Sequence, residues 1–219
     1  MGRGLPDMFN ELSAKSRTQK LRIFFQMLGL TERDRVLDVG GECDPTCESI
    51  QLCESYPWKH RLTILNYDGR VLKLLNQQHP EISTVLGDAR SLPFLAKSFD
   101  VIYSNAVIEH LGTWENQRAM ACEIQRVARR WFVSTPNRWF PYEFHARVPL
   151  VSWLPPKFMT AVCRHLCYNH VERRYRSGID LSGLRLLSAR NLRQLFPGSQ
   201  ILPLRITFYP ESLIVCGKK

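Results

Sequence analysis

Val36-Leu37-Asp38-Val39-Gly40-Gly41 is the stretch from which the fold of this chain is read. A mostly apolar run ends in two adjacent glycines and then the acidic segment Glu42-Cys43-Asp44, the pattern of a buried parallel strand opening onto a loop. Two glycines in a row remove the side chains that would keep a ligand away from main-chain N–H groups. A nucleotide-type cofactor site and an ordinary strand-to-helix turn both satisfy these six residues.

The segments on either side repeat the rhythm. Upstream, Met8, Phe9, Leu12, Leu21, Phe24, Phe25 and Leu28 recur at helical spacing, and Gly29 ends the pattern. Downstream, a helix is expected over Cys47–Tyr56, a strand over Leu62–Leu65, a helix over Val71–Gln78 and a strand over Ser83–Leu86. Phe99–Ser104 reads as a fourth strand leading into a helical run Ala106–Leu111, and a longer helix is expected over Glu115–Arg129 before strand five, Trp131–Ser134. Strand-loop-helix units in succession argue for a parallel sheet with helices on both faces. In such a sheet ligands sit outside the carboxyl ends of the strands, where Asp38, Gly40, Asn66, Asp88, Asn105 and Asn137 all fall.

Residues 138–177 break the rhythm with six aromatics from Trp139 to Phe158 and prolines 141, 149, 155 and 156, then a helix expected over Lys157–Arg174. This reads as an insertion over the crevice, whose aromatics suit either an apolar acceptor pocket or the core of a cap. Ser188 is placed to cap a helix reaching Phe196, and Ile201–Phe208 with Leu213–Val215 reads as a closing strand pair. The divisions expected are an N-terminal helix (1–30), a binding core (31–137), an insertion (138–180) and a terminal helix with strand pair (181–219).

Composition bounds the function. At 219 residues, 44% hydrophobic and 23% charged, the chain has the make-up of one globular domain. Nothing in it approaches the ~20 apolar residues that cross a bilayer, and residues 1–6 lack a signal-peptide core, so a cytoplasmic location is expected. Residues 1–125 hold 14 Lys+Arg against 16 Asp+Glu, whereas 126–219 hold 16 against 4, so the net charge of +10 belongs to the C-terminal part. That excess suits a nucleic acid, an anionic surface or an acidic substrate, or is simply a solvated face. Nucleic acid is not favoured, because no recognisable binding motif accompanies Arg173-Arg174-Tyr175-Arg176. Seven cysteines without a C-x-x-C pair indicate buried thiols, and no metal site is expected. Oligomeric state leaves no signature.

Taken together, Val36–Gly40, Gly87-Asp88-Ala89 with Leu92-Pro93-Phe94, and Ser98–Asn105 with Ile108-Glu109-His110-Leu111 resemble the class I S-adenosylmethionine-dependent methyltransferases, and within them the type 11 methyltransferase domain. The resemblance spans about Arg35 to Asn137. It implies a Rossmann-like, seven-stranded, mostly parallel sheet with a C-terminal antiparallel hairpin, S-adenosylmethionine as cofactor, and methyl transfer. It also implies that Asp38, Gly40 and Gly41 lie against the methionine part, Asn66 near the ribose hydroxyls, Asp88 and Ala89 at the adenine, and Asn105 beside the sulfonium. The chain departs from the family pattern at Glu42 and Asp44, where two further glycines belong, and at Asn66, where an acid is usual.

The cofactor carries the chemistry, so few protein groups need do acid–base work. Candidates for a base are His110, and Glu143 with His145, which an extended Tyr142–His145 segment places on one side. The expected acceptor is a small or lipid-like molecule. Alternatives are a non-catalytic binding protein, which the missing glycines permit, and an RNA or protein methyltransferase. A nicotinamide oxidoreductase is disfavoured by the lack of G-x-G-x-x-G after the first strand.

Overall fold

A computed structural model describes residues 5–43, 51–143, 145–169, 174–178 and 181–219. Helix α1 (Leu5–Leu28) leads into β1 (Val36–Val39), and a short α2 (Leu52–Ser55) precedes β2 (Leu62–Asn66), α3 (Gly69–Gln78) and β3 (Ser83–Leu86). The chain continues through β4 (Phe99–Asn105), a 3-10 turn (Ile108–Leu111), α4 (Trp114–Val127) and β5 (Ala128–Pro136). After an inserted segment, α6 (Ala189–Leu195), β10 (Gln200–Leu204) and β11 (Ser212–Lys218) close the fold.

Seven strands form one sheet in the order β10-β11-β5-β4-β1-β2-β3. Strands β1 to β5 are parallel, and β11 runs antiparallel to both β5 and β10. This is the Rossmann-like sheet with a reversed terminal hairpin that the sequence led us to expect. The strand order reverses beside β1, so the loop after Val39 opens at the crevice between β1 and β4.

Alternation along the strands feeds two cores. Leu37, Val39, Ile102, Val133 and Val215 pack with Met120 and Ile124 of α4 and Leu192 of α6. Their sequence neighbours Val36, Val101, Phe132 and Ile214 face the other side, against Phe24 of α1 and Leu72 and Leu75 of α3. Strands covered on both faces must be apolar at consecutive positions, which is why β1 and β4 read as continuous runs. Ser188 caps α6 as expected, accepting from the Asn191 N–H while the Asn191 side chain accepts from the Ser188 N–H.

The insertion differs from its reading. Helix α5 covers only Pro156–His165, and beyond it β8 (Cys167–Asn169) pairs antiparallel with β9 (Arg174–Arg176), residues 170–173 lying outside the described residues. Leu166 turns to extended backbone, the Tyr168 N–H donates to the Ala146 carbonyl at 2.8 Å, and the Tyr168 and Tyr175 rings pack edge to face across the strands. Cys163 and Cys167 share a core, packed with Val148, Met159 and Leu184. A second small hairpin pairs β6 (Tyr142–Glu143) with β7 (Val148–Pro149). Two other boundaries move: the helical run after Asn105 is a single 3-10 turn, and the chain from Ala128 onward joins β5 rather than α4. Of the helix expected over Cys47–Tyr56, residues 47–50 lie outside the described residues.

Candidate functional site

Three adjoining cavities lie at the carboxyl ends of β1, β2, β3 and β4. The first, about 340 Å³, is lined by Asp38, Gly40, Gly41, Glu42, Gln51, Tyr103, Asn105, Ala106, His110 and His145, with Arg17 of α1. The second, about 330 Å³, shares Gly40 and His110 with it and extends over Leu65, Asn66, Gly87, Asp88, Ala89 and Val107. A third, about 220 Å³, shares Arg17, Asn105, Ala106 and His145 with the first and is otherwise formed by Ser13, Ser16 and Lys20 of α1 with Pro136, Glu211 and Ser212. Every candidate cofactor residue read from the sequence lines the first or the second.

Gly40 is the hinge between those two. Its φ of +81° suits glycine, and a Cβ there would stand 2.4 Å from the Val107 side chain. At Gly41 a Cβ would stand 2.4 Å from Asp38 Oδ2, so the carboxyl lies directly over the glycine. Asp38 is buried, and burial together with the charge of Glu42 pushes its carboxyl up to about 8. A buried carboxyl beside a backbone cradle complements a ligand that brings positive charge. Glu42 itself is exposed and leaves the cavity beside it open, while Asp44 lies outside the described residues.

The polar groups around the second cavity are engaged by protein partners. Asn66 Nδ2 donates to the Gly41 carbonyl and its Oδ1 accepts from the Asp68 N–H, each at 2.9 Å, so a hydroxyl would meet the second N–H of the amide or the remaining lone pair of its oxygen. Asp88 is gripped by the Arg90 guanidinium at 2.6 and 2.9 Å, which holds its carboxyl below the usual range. Asp68 and Arg70 repeat the arrangement one strand away. An exposed pair of this kind is weak, because solvent screens it. If Asp88 meets the adenine amine, as the sequence resemblance implies, Arg90→Ala is expected to free it and to tighten S-adenosylhomocysteine a few-fold, read by calorimetry.

At the other end of the first cavity the three candidate catalytic residues come together. Glu143, buried in β6, accepts from the His145 ring at Nδ1 (2.7 Å) and from the Ala146 N–H (2.5 Å). Burial opposes charge on both members, and their mutual hydrogen bond outweighs it, lowering Glu143 and raising His145. The His110 ring stands edge to face on His145 with centroids 4.9 Å apart; burial and the neighbouring His145 push it down to about 4, so it is neutral near pH 7. The 3-10 turn that carries His110 is pinned by buried Gln117, which donates to the Ile108 and Arg185 carbonyls.

The described aromatics of the insertion stand apart from these three cavities. Residues 139, 140, 142, 153 and 158 line none of the three cavities, and Trp139, Trp153 and Phe158 are exposed. Phe144 lies outside the described residues. Sequence reasoning missed the α1 contribution: Ser13, Ser16, Arg17 and Lys20 recur at i, i+3, i+4 and i+7, one face of a helix. Burial lowers the Lys20 ammonium to about 8 against the attraction of Glu109 and Glu211, and Ser16 donates to Glu211 at 3.0 Å. It also missed Ala106, whose φ of +56° turns the chain sharply after β4.

Residues 37–130 match a family described as a methyltransferase domain. No curated protein matches the chain. Among solved structures, a protein of Pyrococcus horikoshii is similar at TM-score 0.59 and 16% identity over 93% of this chain and 90% of that one. An S-adenosylmethionine-dependent methyltransferase of Mesorhizobium loti is similar at TM-score 0.57 and 14% identity, over 93% and 98%. The glycopeptide N-methyltransferase MtfA covers both chains fully at TM-score 0.58 and 14% identity. At such identities the likeness is one of fold.

Proposed function

We propose that this chain carries a class I S-adenosylmethionine-dependent methyltransferase domain and methylates a small polar acceptor rather than a lipid-like one. The observation that carries the choice is the third cavity. Its walls are Ser13, Ser16, Arg17, Lys20, Glu211 and His145, and a long acyl chain would bury against charge there. No helix among the described residues is long and apolar enough to cross a membrane.

Bound S-adenosylmethionine supplies an activated methyl group and a neutral thioether leaving group. The chain's own part is to align and to exclude water. Asp38 and the Gly40–Gly41 backbone would hold the methionine end, Asn66 the ribose, Asp88 and Ala89 the adenine, and Asn105 would stand beside the sulfonium. His145 turns its Nδ1 to Glu143, which orients Nε2 as the nitrogen that would take the proton of an acceptor hydroxyl or amine. His110, uncharged, stands beside it and adds no repulsion toward a cationic cofactor.

The test is incubation of the purified chain with methyl-labelled S-adenosylmethionine and an extract of the source organism, followed by fractionation. Label in water-soluble metabolites supports the proposal. Label confined to the lipid, RNA or protein fraction overturns the acceptor class. Absence of any heat on titration with S-adenosylmethionine or S-adenosylhomocysteine would favour the non-catalytic alternative.

A further inference from the structure

We propose that Glu109, His110 and His145 form a binding site for one divalent first-row transition metal ion, zinc best matching the donors, at the meeting point of the cofactor and acceptor cavities. One donor atom from each of the three lies within 4.8 Å of the others. Ligands of one tetrahedral ion with bonds of about 2.0–2.2 Å stand about 3.3–3.6 Å apart, so a closure of up to about 1.5 Å completes the set. His110 lines both the first and the second cavity, so its ring has open space into which to make that movement.

Two further observations point to a ligand. Glu109 is fully buried, its Oε2 accepts from Thr135 Oγ1 at 2.9 Å, and its Oε1 has no hydrogen-bond partner among the described residues. A buried carboxylate oxygen without a partner is costly unless something occupies it. Glu143 bonds His145 through Nδ1, the outer-shell carboxylate arrangement that fixes a metal-binding imidazole and raises its basicity. Two imidazoles and one carboxylate leave coordination positions open, and both imidazoles line the first cavity.

For its catalytic use the site rests on the methyl-transfer reading above. An oxygen or nitrogen of the acceptor entering an open position would lose its proton to solvent at lower pH than when free. Its lone pair would then form the bond to the methyl carbon while the carbon–sulfur pair stays on sulfur. In the ion-free protein the same Nε2 lone pair of His145 takes the proton instead.

The test uses the full chain stripped with chelator and titrated with zinc and with cobalt(II), by calorimetry and visible absorption, alongside S-adenosylhomocysteine on the same samples. Expected are one ion per chain at micromolar affinity or tighter and a cobalt spectrum without a thiolate charge-transfer band. His110→Ala and His145→Ala are each expected to lose at least about tenfold in metal affinity, with His79→Ala unchanged. Cys43, Cys53 and His79 form a rival cluster, with the two sulfurs 2.7 Å apart, so a thiolate band that disappears in His79→Ala overturns the proposal. No binding at millimolar ion, or equal binding by the two histidine variants, overturns it as well. The wild-type cobalt spectrum decides even where a variant fails to fold. S-adenosylhomocysteine binding without metal binding removes the metal site alone, whereas metal binding at the histidines without S-adenosylhomocysteine binding removes the methyl-transfer reading.

Discussion

Asp38→Asn is expected to weaken S-adenosylmethionine binding by about a hundredfold or more while raising the melting temperature of the cofactor-free protein. Both effects come from one buried carboxyl. Burial and Glu42 raise it to about 8, against about 3.9 in an unfolded chain. The folded protein thus holds a proton that the unfolded chain releases. Stability is then fully present below about pH 4, falls as pH rises toward 8, and levels off above. Asparagine has no such charge to bury. The gain over wild type should be absent near pH 4 and largest at pH 8, on the order of 5 kcal/mol at most, at about 2–4 °C per kcal/mol for a chain this size.

Cofactor binding runs the other way. The positive charge of S-adenosylmethionine favours ionised Asp38, so binding should release a proton from it and strengthen with pH, by up to about tenfold per unit between pH 6 and 8. Asparagine removes both the attraction and the pH slope. Calorimetry in two buffers of different ionisation enthalpy reads the proton, and thermal melts of the unliganded protein at pH 4 and 8 read the stability. A wild-type affinity flat between pH 6 and 8, or a variant that melts lower at pH 8, would contradict this role for Asp38.

What the sequence could and could not disclose divides along the same cavity. The cofactor half is built from short local signals: an apolar strand, a small-residue turn and a polar residue at each strand end. Such signals survive in one dimension, and Ser83–Leu86 was legible to the residue. Occupancy of those polar groups was not. That Arg70 and Arg90 would turn back on Asp68 and Asp88, or that Asn66 would spend its amide on Gly41 and Asp68, depends on side-chain rotamers.

The acceptor half joins α1, the 3-10 turn after β4 and the β6–β7 hairpin, which are far apart in the chain. A polar stripe on an otherwise apolar helix was the available signal, with Ser16 and Lys20 buried where a surface helix has no need to bury them. The misread helix over Lys157–Arg174 has a related cause. Cys163 and Cys167 satisfy helical spacing, and only the distant Ala146 carbonyl and the Tyr168–Tyr175 contact commit Cys167–Asn169 to a strand.

Glu143→Gln is the substitution expected to separate binding from turnover most sharply. The amide has the shape of the carboxylate, and its oxygen can still accept from the Ala146 N–H, so the hairpin that presents His145 has its anchor. Its nitrogen, however, now donates to Nδ1 of His145, where the carboxylate accepted. The imidazole is driven to the tautomer with hydrogen on Nε2, and the lone pair that would take the acceptor's proton is gone. A comparable exchange of carboxylate for amide behind a catalytic histidine costs about 10⁴ in kcat in the serine-protease triad. Here we expect a loss of at least about a hundredfold in kcat, with S-adenosylhomocysteine affinity unchanged within about twofold, because none of the adenosine-side residues touches Glu143. A purely structural role would lower stability and cofactor affinity together and leave the pH profile in place. The orienting role instead removes the limb of the wild-type profile in which activity rises with pH through the raised His145 pKa. Full turnover by a folded Glu143→Gln protein would take His145 out of the reaction, because an imidazole held in either tautomer would then serve equally well.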